Sequence, residues 1–342
     1  MDLKELIFEL CEAEGVSGNE MPVLEIIKNR ISPFADTSVD CNKNLYATLG
    51  NKNAEREILV DAHIDRIGFI VTDVDENGFV KIDGCGGVDS RVLQNTELVT
   101  QDGSELYGVV CCLPPHLTDG SEDKAEPLSK TWIDFGMPRE ELVKYINPGD
   151  VLTFGSKPAT LLGDVISAPA LDNRCGAAAL IRMCELLNGK EIDYRVTVMF
   201  SSQEETFALG AKTGAFMHDA DEAIVVDVSF ASQPDISGQY SKISLSKGGM
   251  IGISPILDRD MTNALIRLAQ DKIIPYQLEP LASSTGTNAD HIACTKSGIK
   301  TALVSIPQRY MHTQHEVISI SDVENTARLL AEYIQSGGIA NV

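Results

Sequence analysis

The sequence predicts an α/β protein, a sandwich of helices around a mainly parallel sheet, interrupted by an inserted β-rich domain. Two observations carry this. Short apolar runs typical of buried strands alternate with helical patterns up to residue 67 and again from residue 166, which is how parallel sheets are written. Between them, residues 68–165 change to paired β-rich runs joined by Gly-containing turns, the pattern of hairpins. The α/β domain is therefore expected to be discontinuous, over 1–67 and 166–342, with the smaller domain over 68–165. A chain of 342 residues has room for both.

The elements follow in order. In "MDLKELIFELCEAEG" Leu3, Leu6, Ile7 and Leu10 fall at helical spacing with charges between them. An acidic start with no unbroken apolar stretch reads as an amphipathic helix rather than a signal peptide. A second helix is expected over 21–31, then the extended segment "TSVDCNKNLYATLG" and a buried strand in "REILVDAHID". The insert opens with "GFIVTDVDENGFVKIDG" and "TELVTQDGSELYGVV", each a hairpin, carries one helix candidate, "MPREELVKYI", and has an exposed loop in "PPHLTDGSEDKAEPLSKT". Thereafter come a helix in "NRCGAAALIRMCELLNG", a strand in "YRVTVMF", a helix in "GAKTGAFMH" and a strand in "EAIVVDVSF". A helix near "MTNALIRLAQ", the strand "TALVSI" and a last helix complete the chain. Ser321 and Glu324 have the spacing of a capping box for that last helix.

Composition narrows the function. With 28 Lys+Arg against 50 Asp+Glu the net charge is −22, which disfavours nucleic acid and anionic membrane surfaces as partners and suits a holder of divalent cations. No run of about 18 apolar residues could span a bilayer. Eight cysteines without a CxxC pair read as buried or inert reduced thiols rather than disulfides or a zinc knuckle, and the compartment as reducing and cytoplasmic.

In an open α/β sheet the ligand lies beyond the carboxyl ends of the strands, and four spots stand there. In "LVDAHIDRIG", His63 and Asp65 can face one side. An isolated HxD is more often a surface pair, but at a metal the first would be a ligand and the second the carboxylate orienting it. In "SAPALDNRCG", Asp172 and Asn173 stand at a helix start, where capping is the ordinary role; a carboxylate there could also bridge two cations. In "VTVMFSSQEETFALG", Glu204 and Glu205 cannot both enter one core along a strand, because neighbours face opposite ways. If the chain turns at Gln203 they can diverge within one cleft, one holding metal and the other taking a proton from water. Asp227 ends an apolar strand, and His312 follows another; His116, His218, His291 and His315 compete less well. Together these groups supply two His, three carboxylate ligands and a free Glu. Oxygen and imidazole donors without thiolate suit a hydrolytic pair of Zn, Co or Mn ions, which can hold a hydroxide and polarise a carbonyl.

The ordered stretches "DAHIDRIGFIVTDV", "GGVDSRVL", "ALDNRCG", "SSQEE", "VVDV", "TGTNADHI" and "SIPQRYMHT" resemble the tetrahedral, dodecameric aminopeptidases of metallopeptidase family forty-two across nearly the whole chain. Members are named glutamyl, leucyl or lysyl aminopeptidases, and some endoglucanases. The resemblance implies a zinc-peptidase-like three-layer α/β/α sandwich with a barrel-like inserted domain used for dimer contacts and assembly of a hollow dodecamer. It implies two divalent metals, Zn or Co, with His63 and Asp227 on one, Glu205 and His312 on the other, and Asp172 bridging. Glu204 would be the general base, Asp65 would support His63, and a strained or cis peptide would follow Asp172. Substrates would be peptides with a free N-terminus.

Four positions depart from the family's habit. Arg66 stands where Glu is usual and would set a positive charge near the site, available to acidic side chains of a peptide. Asn173 replaces a common Asp, Pro169 a common Lys, and Gln314 stands where Pro is frequent. Two other readings compete with a peptidase. A catalytically silent binding or assembly protein would lack a ligand or base, and none is missing. An endoglucanase would need an acid–base carboxylate pair and, commonly, aromatic sugar platforms, whereas aromatic residues make up only 6% of the chain.

Overall fold

The computed structural model describes residues 2–101, 106–117 and 125–340. An eight-stranded sheet forms the frame, in the order Asp36–Val39, Leu45–Gly50, Arg195–Ser201, Glu57–His63, Glu222–Phe230, Lys300–Gln308, Gly249–Ile253 and Tyr276–Pro280. Its four middle strands, Arg195–Ser201 through Lys300–Gln308, are mutually parallel. They therefore send their carboxyl ends, and His63, Ser201 and Asp227 with them, toward one edge.

Both faces of the sheet are covered, which makes the sandwich three-layered. Ile58, Val60, Val196, Val198, Ile224 and Val226 enter one core, while the alternate residues Leu59, Met199 and Val225 enter another. This is the period of two expected of strands buried on both sides. The larger core lies under the helices Leu3–Glu12, Met21–Ile31, Leu171–Leu187, Arg259–Asp271 and Ile320–Ser336. Leu6, Ile7 and Leu10 of the first helix are fully buried there, each contributing about 1.5–3 kcal/mol. Asp2 fixes where that helix begins by accepting the amides of Lys4 and Glu5. Ala177, Ala178 and Ala179 leave room for close neighbours around the central helix, and all three are buried. The opposite face is covered by the shorter helices Leu209–Met217 and Ala289–Ala293.

Leaving the strand Glu57–His63, the chain builds a closed six-stranded barrel: Gly68–Val74, Phe79–Cys85, Trp132–Asp134, Tyr107–Val110, Glu97–Thr100 and Val151–Phe154, the last pairing back with the first. It has its own core, in which Phe69 and Phe154 meet edge to face at 5.3 Å. A three-stranded sheet, Ala159–Thr160, Val165–Ala168 and Glu316–Ser319, follows.

Several expectations are corrected. The capping box does not form. Glu324 instead receives Arg182 from the neighbouring helix at 2.9 and 3.2 Å, and the Ser321 amide donates to Asp164 at 3.2 Å. Of the helix expected in "MPREELVKYI", Arg139–Leu142 is α-helical. The strands Gly249–Ile253, Tyr276–Pro280 and Glu316–Ser319 were not expected from the pattern. All eight cysteines are free thiols, with Cys41, Cys111, Cys112 and Cys294 exposed. Residues 118–124 of the expected loop lie outside the described residues. Among the described residues no helix is long and apolar enough to cross a membrane.

Candidate metal centre and active site

His63 ends its strand. Its Nδ1–H donates to the main-chain oxygen of Asp65 at 3.2 Å, with Asp65 Oδ1 at 3.3 Å, so Nε2 is left facing the cleft. Beside it the chain reaches the helix Leu171–Leu187 through Ala170, at φ 59°, and the Asp172–Asn173 peptide is cis. Asp172 and Asn173 divide the roles the sequence left open. Asn173 caps the helix, accepting the Gly176 amide at 3.1 Å and donating to Val226 O at 2.8 Å. Asp172 is freed to face the cleft.

The chain does turn at Gln203, whose φ is 54°, and Glu204–Phe207 form a single helical turn. Glu204 and Glu205 then diverge. Glu204 Oε2 comes within 3.9 Å of His63 Nε2, and Glu205 Oε2 within 3.3 Å of His312 Nε2. Asp227, near the end of its strand, brings Oδ1 to 3.7 Å from His63 Nε2. His312, at φ 61° in the turn after Lys300–Gln308, donates from Nδ1 to Gly87 O at 3.1 Å.

All seven residues singled out in the sequence thus meet in one cleft. Asp172 spans it, with Oδ1 at 3.1 Å from His63 Nε2 and Oδ2 at 3.2 Å from His312 Nε2. His63, Asp172 and Asp227 form one group of donors within 4.8 Å of one another, and Asp172, Glu205 and His312 form a second. Cations fit here on two grounds. The donors are imidazole and carboxylate only, and Glu205 Oε1 is buried with no hydrogen-bond partner, an atom that demands a positive charge.

The electrostatics agree. Burial pulls the His63 imidazole down, yet Glu204, Asp172, Asp227 and Asp65 overcome it and hold its pKa well above the usual value. His312 is likewise lowered by burial but raised, to about 10, by its contact with Asp172 and the charge of Glu205. Burial would raise Asp172, but its hydrogen bonds to His312 and His63 hold it well below the carboxylate range. Glu204 is pushed up to about 8, first by burial and then, against His63, by Asp227 and Asp172. Glu205 is raised by burial and by Asp172. The cleft is thus crowded with carboxylates held together by protons, and divalent cations would replace those protons.

Two participants have no assigned role in the sequence reading. Glu316, 1% exposed, accepts the Asp172 amide on Oε2 at 3.1 Å and the His312 amide on Oε1 at 2.9 Å. Its only local signal is a carboxylate heading the short apolar run "EVIS". Gly87 is the other; its signal is the paired glycine in "GCGGVD". Arg66 keeps its charge near the site, within electrostatic reach of Glu316 and Glu205. It is buried, 3% exposed, and directs Nη1 toward Cys11 O at 3.5 Å, which corrects the expectation that it is available to a peptide's acidic side chain. His218 is held by Glu57 at 2.8 Å. His291 stands away from both donor groups, in the wall of a cavity of about 320 Å³ that Glu204, Phe207, Lys212 and Thr287 also line.

The chain matches the family model described as M42 glutamyl aminopeptidase over residues 43–329. It is 36% identical over 339 residues to an aminopeptidase-named protein of Acetivibrio thermocellus, covering 97% of this chain and 98% of that one. Among solved structures it resembles the aminopeptidase APDkam598 of Desulfurococcus kamchatkensis, with a TM-score of 0.92, 30% identity, and coverage of 99% of this chain and 96% of that one. It also resembles the Pyrococcus horikoshii TET1 peptidase, described as assembling into a tetrahedron or a large octahedral shell, with a TM-score of 0.86, 28% identity, and coverage of 97% and 98%.

Proposed function

The chain belongs to the M42 glutamyl aminopeptidase family and is a metal-dependent peptide hydrolase, and on that premise we propose that it removes the first residue from peptides with a free N-terminus, using two divalent cations and Glu204 as general base. The observation that carries the reading is the pair of donor groups sharing Asp172. His63 and Asp227 would hold one cation, Glu205 and His312 the other, and Asp172 both. Zn or Co suits such donors. Cations bound there would polarise the scissile carbonyl and make a water acidic enough to attack it.

The remaining work falls to side chains of this chain. Glu204, within 3.9 Å of His63 but outside both donor groups, is placed to take the proton of the attacking water and hand it to the leaving amine. Asp65 orients His63 and aims the turn that carries both glutamates. Glu205, beside His312 and almost fully buried, is suited to ligation rather than proton transfer.

The likeness to the TET1 peptidase supports a dimer-based dodecamer in which residues 68–165 make assembly contacts. Phe79, Tyr107 and Val109 on the outside of the barrel are exposed apolar side chains suited to such contacts. Free thiols at all eight cysteines suit a reducing, cytoplasmic setting.

The test is a panel of free and N-acetylated peptides differing in their first residue, with a chelated control. Cleavage of the free-amine peptides alone, lost on chelation, is expected. Cleavage of acetylated peptides, or activity that survives chelation, would sink the reading.

A further inference from the structure

We infer that the Gly86–Gly87 turn of the inserted barrel is a built part of one half of the metal centre: it sets the tautomer and ring position of His312, giving the barrel a role in the chemistry besides assembly. The inference rests on the two-cation reading above.

Three observations carry it. His312 Nδ1 donates to the carbonyl of Gly87 at 3.1 Å, which commits that nitrogen and leaves Nε2 as the donor facing Asp172 and Glu205. A ligating imidazole is commonly fixed through its other nitrogen in this way. The second observation is steric. A Cβ built on Gly87 would lie 2.7 Å from His312 Nδ1 and 3.0 Å from Cε1, so the ring occupies the space a side chain would need. The third concerns Gly86, where a Cβ would lie 3.2 Å from Glu205 Cβ and 3.3 Å from Glu205 Oε2. The turn is therefore packed against both unshared donors of this half. In the other half, the hydrogen bonds that orient His63 and Asp227 come from Asp65 and Val228, within the α/β domain.

The turn is also firmly footed. Cys85, just before it, pairs with Gly68 on the adjacent barrel strand, and the Val88 amide closes the turn onto Gly86 O at 3.0 Å. Val88 itself packs against the barrel core. Moving the barrel would move the carbonyl that holds His312, whereas the hydrogen bond that orients His63 comes from Asp65, outside it.

The experiment titrates the metal-free full-length protein with Co²⁺, following heat and visible absorption. Two binding steps in the native chain test the two-cation reading itself; a single step would end that reading, and this inference with it. Given two steps, Gly87→Ala should keep one at native affinity and weaken the other about 10- to 100-fold. Two steps of native strength, or equal weakening of both, would overturn the inference. A second measurement needs no variant: ¹⁵N NMR of histidine-labelled, Zn²⁺-loaded native protein should find His312 protonated at Nδ1. Protonation at Nε2 instead would overturn it.

Discussion

The Asp65 carboxylate accepts the backbone N–H of Glu204 at 2.9 Å through Oδ1. Oδ2 takes the N–H of Glu205 at 3.1 Å, and Oδ1 also stands 3.3 Å from His63 Nδ1. One side chain thus aligns His63 at the end of one strand with the two glutamates that follow another. An amide in its place has only one acceptor oxygen and would turn an N–H toward one of these donors. Asp65→Asn is expected to weaken cation binding about 10- to 100-fold and to lower kcat. Calorimetric titration checks the first, and undiminished affinity would contradict it.

Glu204 stands 3.9 Å from His63, outside either donor group, so on the proposed reading its carboxylate would serve proton transfer rather than hold metal. Glu204→Gln should bind both cations as the native chain does while losing about 100- to 10,000-fold in kcat. Stoichiometry by metal analysis, read beside turnover, separates the two effects; a variant that stays active refutes the assignment.

Stability should depend on pH in opposite ways with and without cations. Glu204 and Glu316 are raised from 4.5 to about 8, and His312 from 6.5 to about 10. In each case the metal-free folded state holds a proton that the unfolded chain releases, so this stability is complete below the unfolded pKa and lost as pH climbs through the folded one. Chelated protein should therefore melt at progressively lower temperature from about pH 5 to 9. Bound cations displace those protons, so the gap in Tm between loaded and chelated protein should widen over the same range. A chelated Tm that rises with pH would contradict this.

Glu316 offers two acceptor oxygens to two amides, those of Asp172 and His312. Gln can satisfy one of them. The other becomes a buried unpaired N–H, at a cost of about 1–3 kcal/mol. Glu316→Gln should consequently lower Tm and weaken cation binding together. A variant with native Tm and native affinity would show that the clamp is dispensable.

Much of the site could be read because its residues announce themselves locally. His63 and Asp227 are polar residues at or near the ends of apolar strands, and the side-by-side Glu204 and Glu205 are hard to place on a continuing strand. Glu316 could not be read, because its burial depends on pairing with Val165–Ala168, about 150 positions earlier in the chain. Ser321 and Glu324 had the spacing of a cap, but Arg182 on another helix claimed the glutamate. The strand Gly249–Ile253 goes unassigned because its glycines obscure the pattern, yet it pairs with Lys300–Gln308 inside the sheet. In each of these cases a partner distant in sequence decided the outcome. Arg66 shows the same limit, since only the packed structure buries it with Nη1 directed toward Cys11 O.

The hydrogen bond from His312 to Gly87 joins residues 225 positions apart, and the one joining His63 to Asp172 spans 109. No short piece of this chain contains either half of the centre, so metal capture has to come after folding. Unlike a zinc finger, whose metal organises the chain, this protein would present its cations with a finished socket. Refolding from denaturant should then proceed at the same rate with or without divalent cation, while unfolding slows when cation is bound. A refolding rate that rises with cation concentration would place metal capture before the fold.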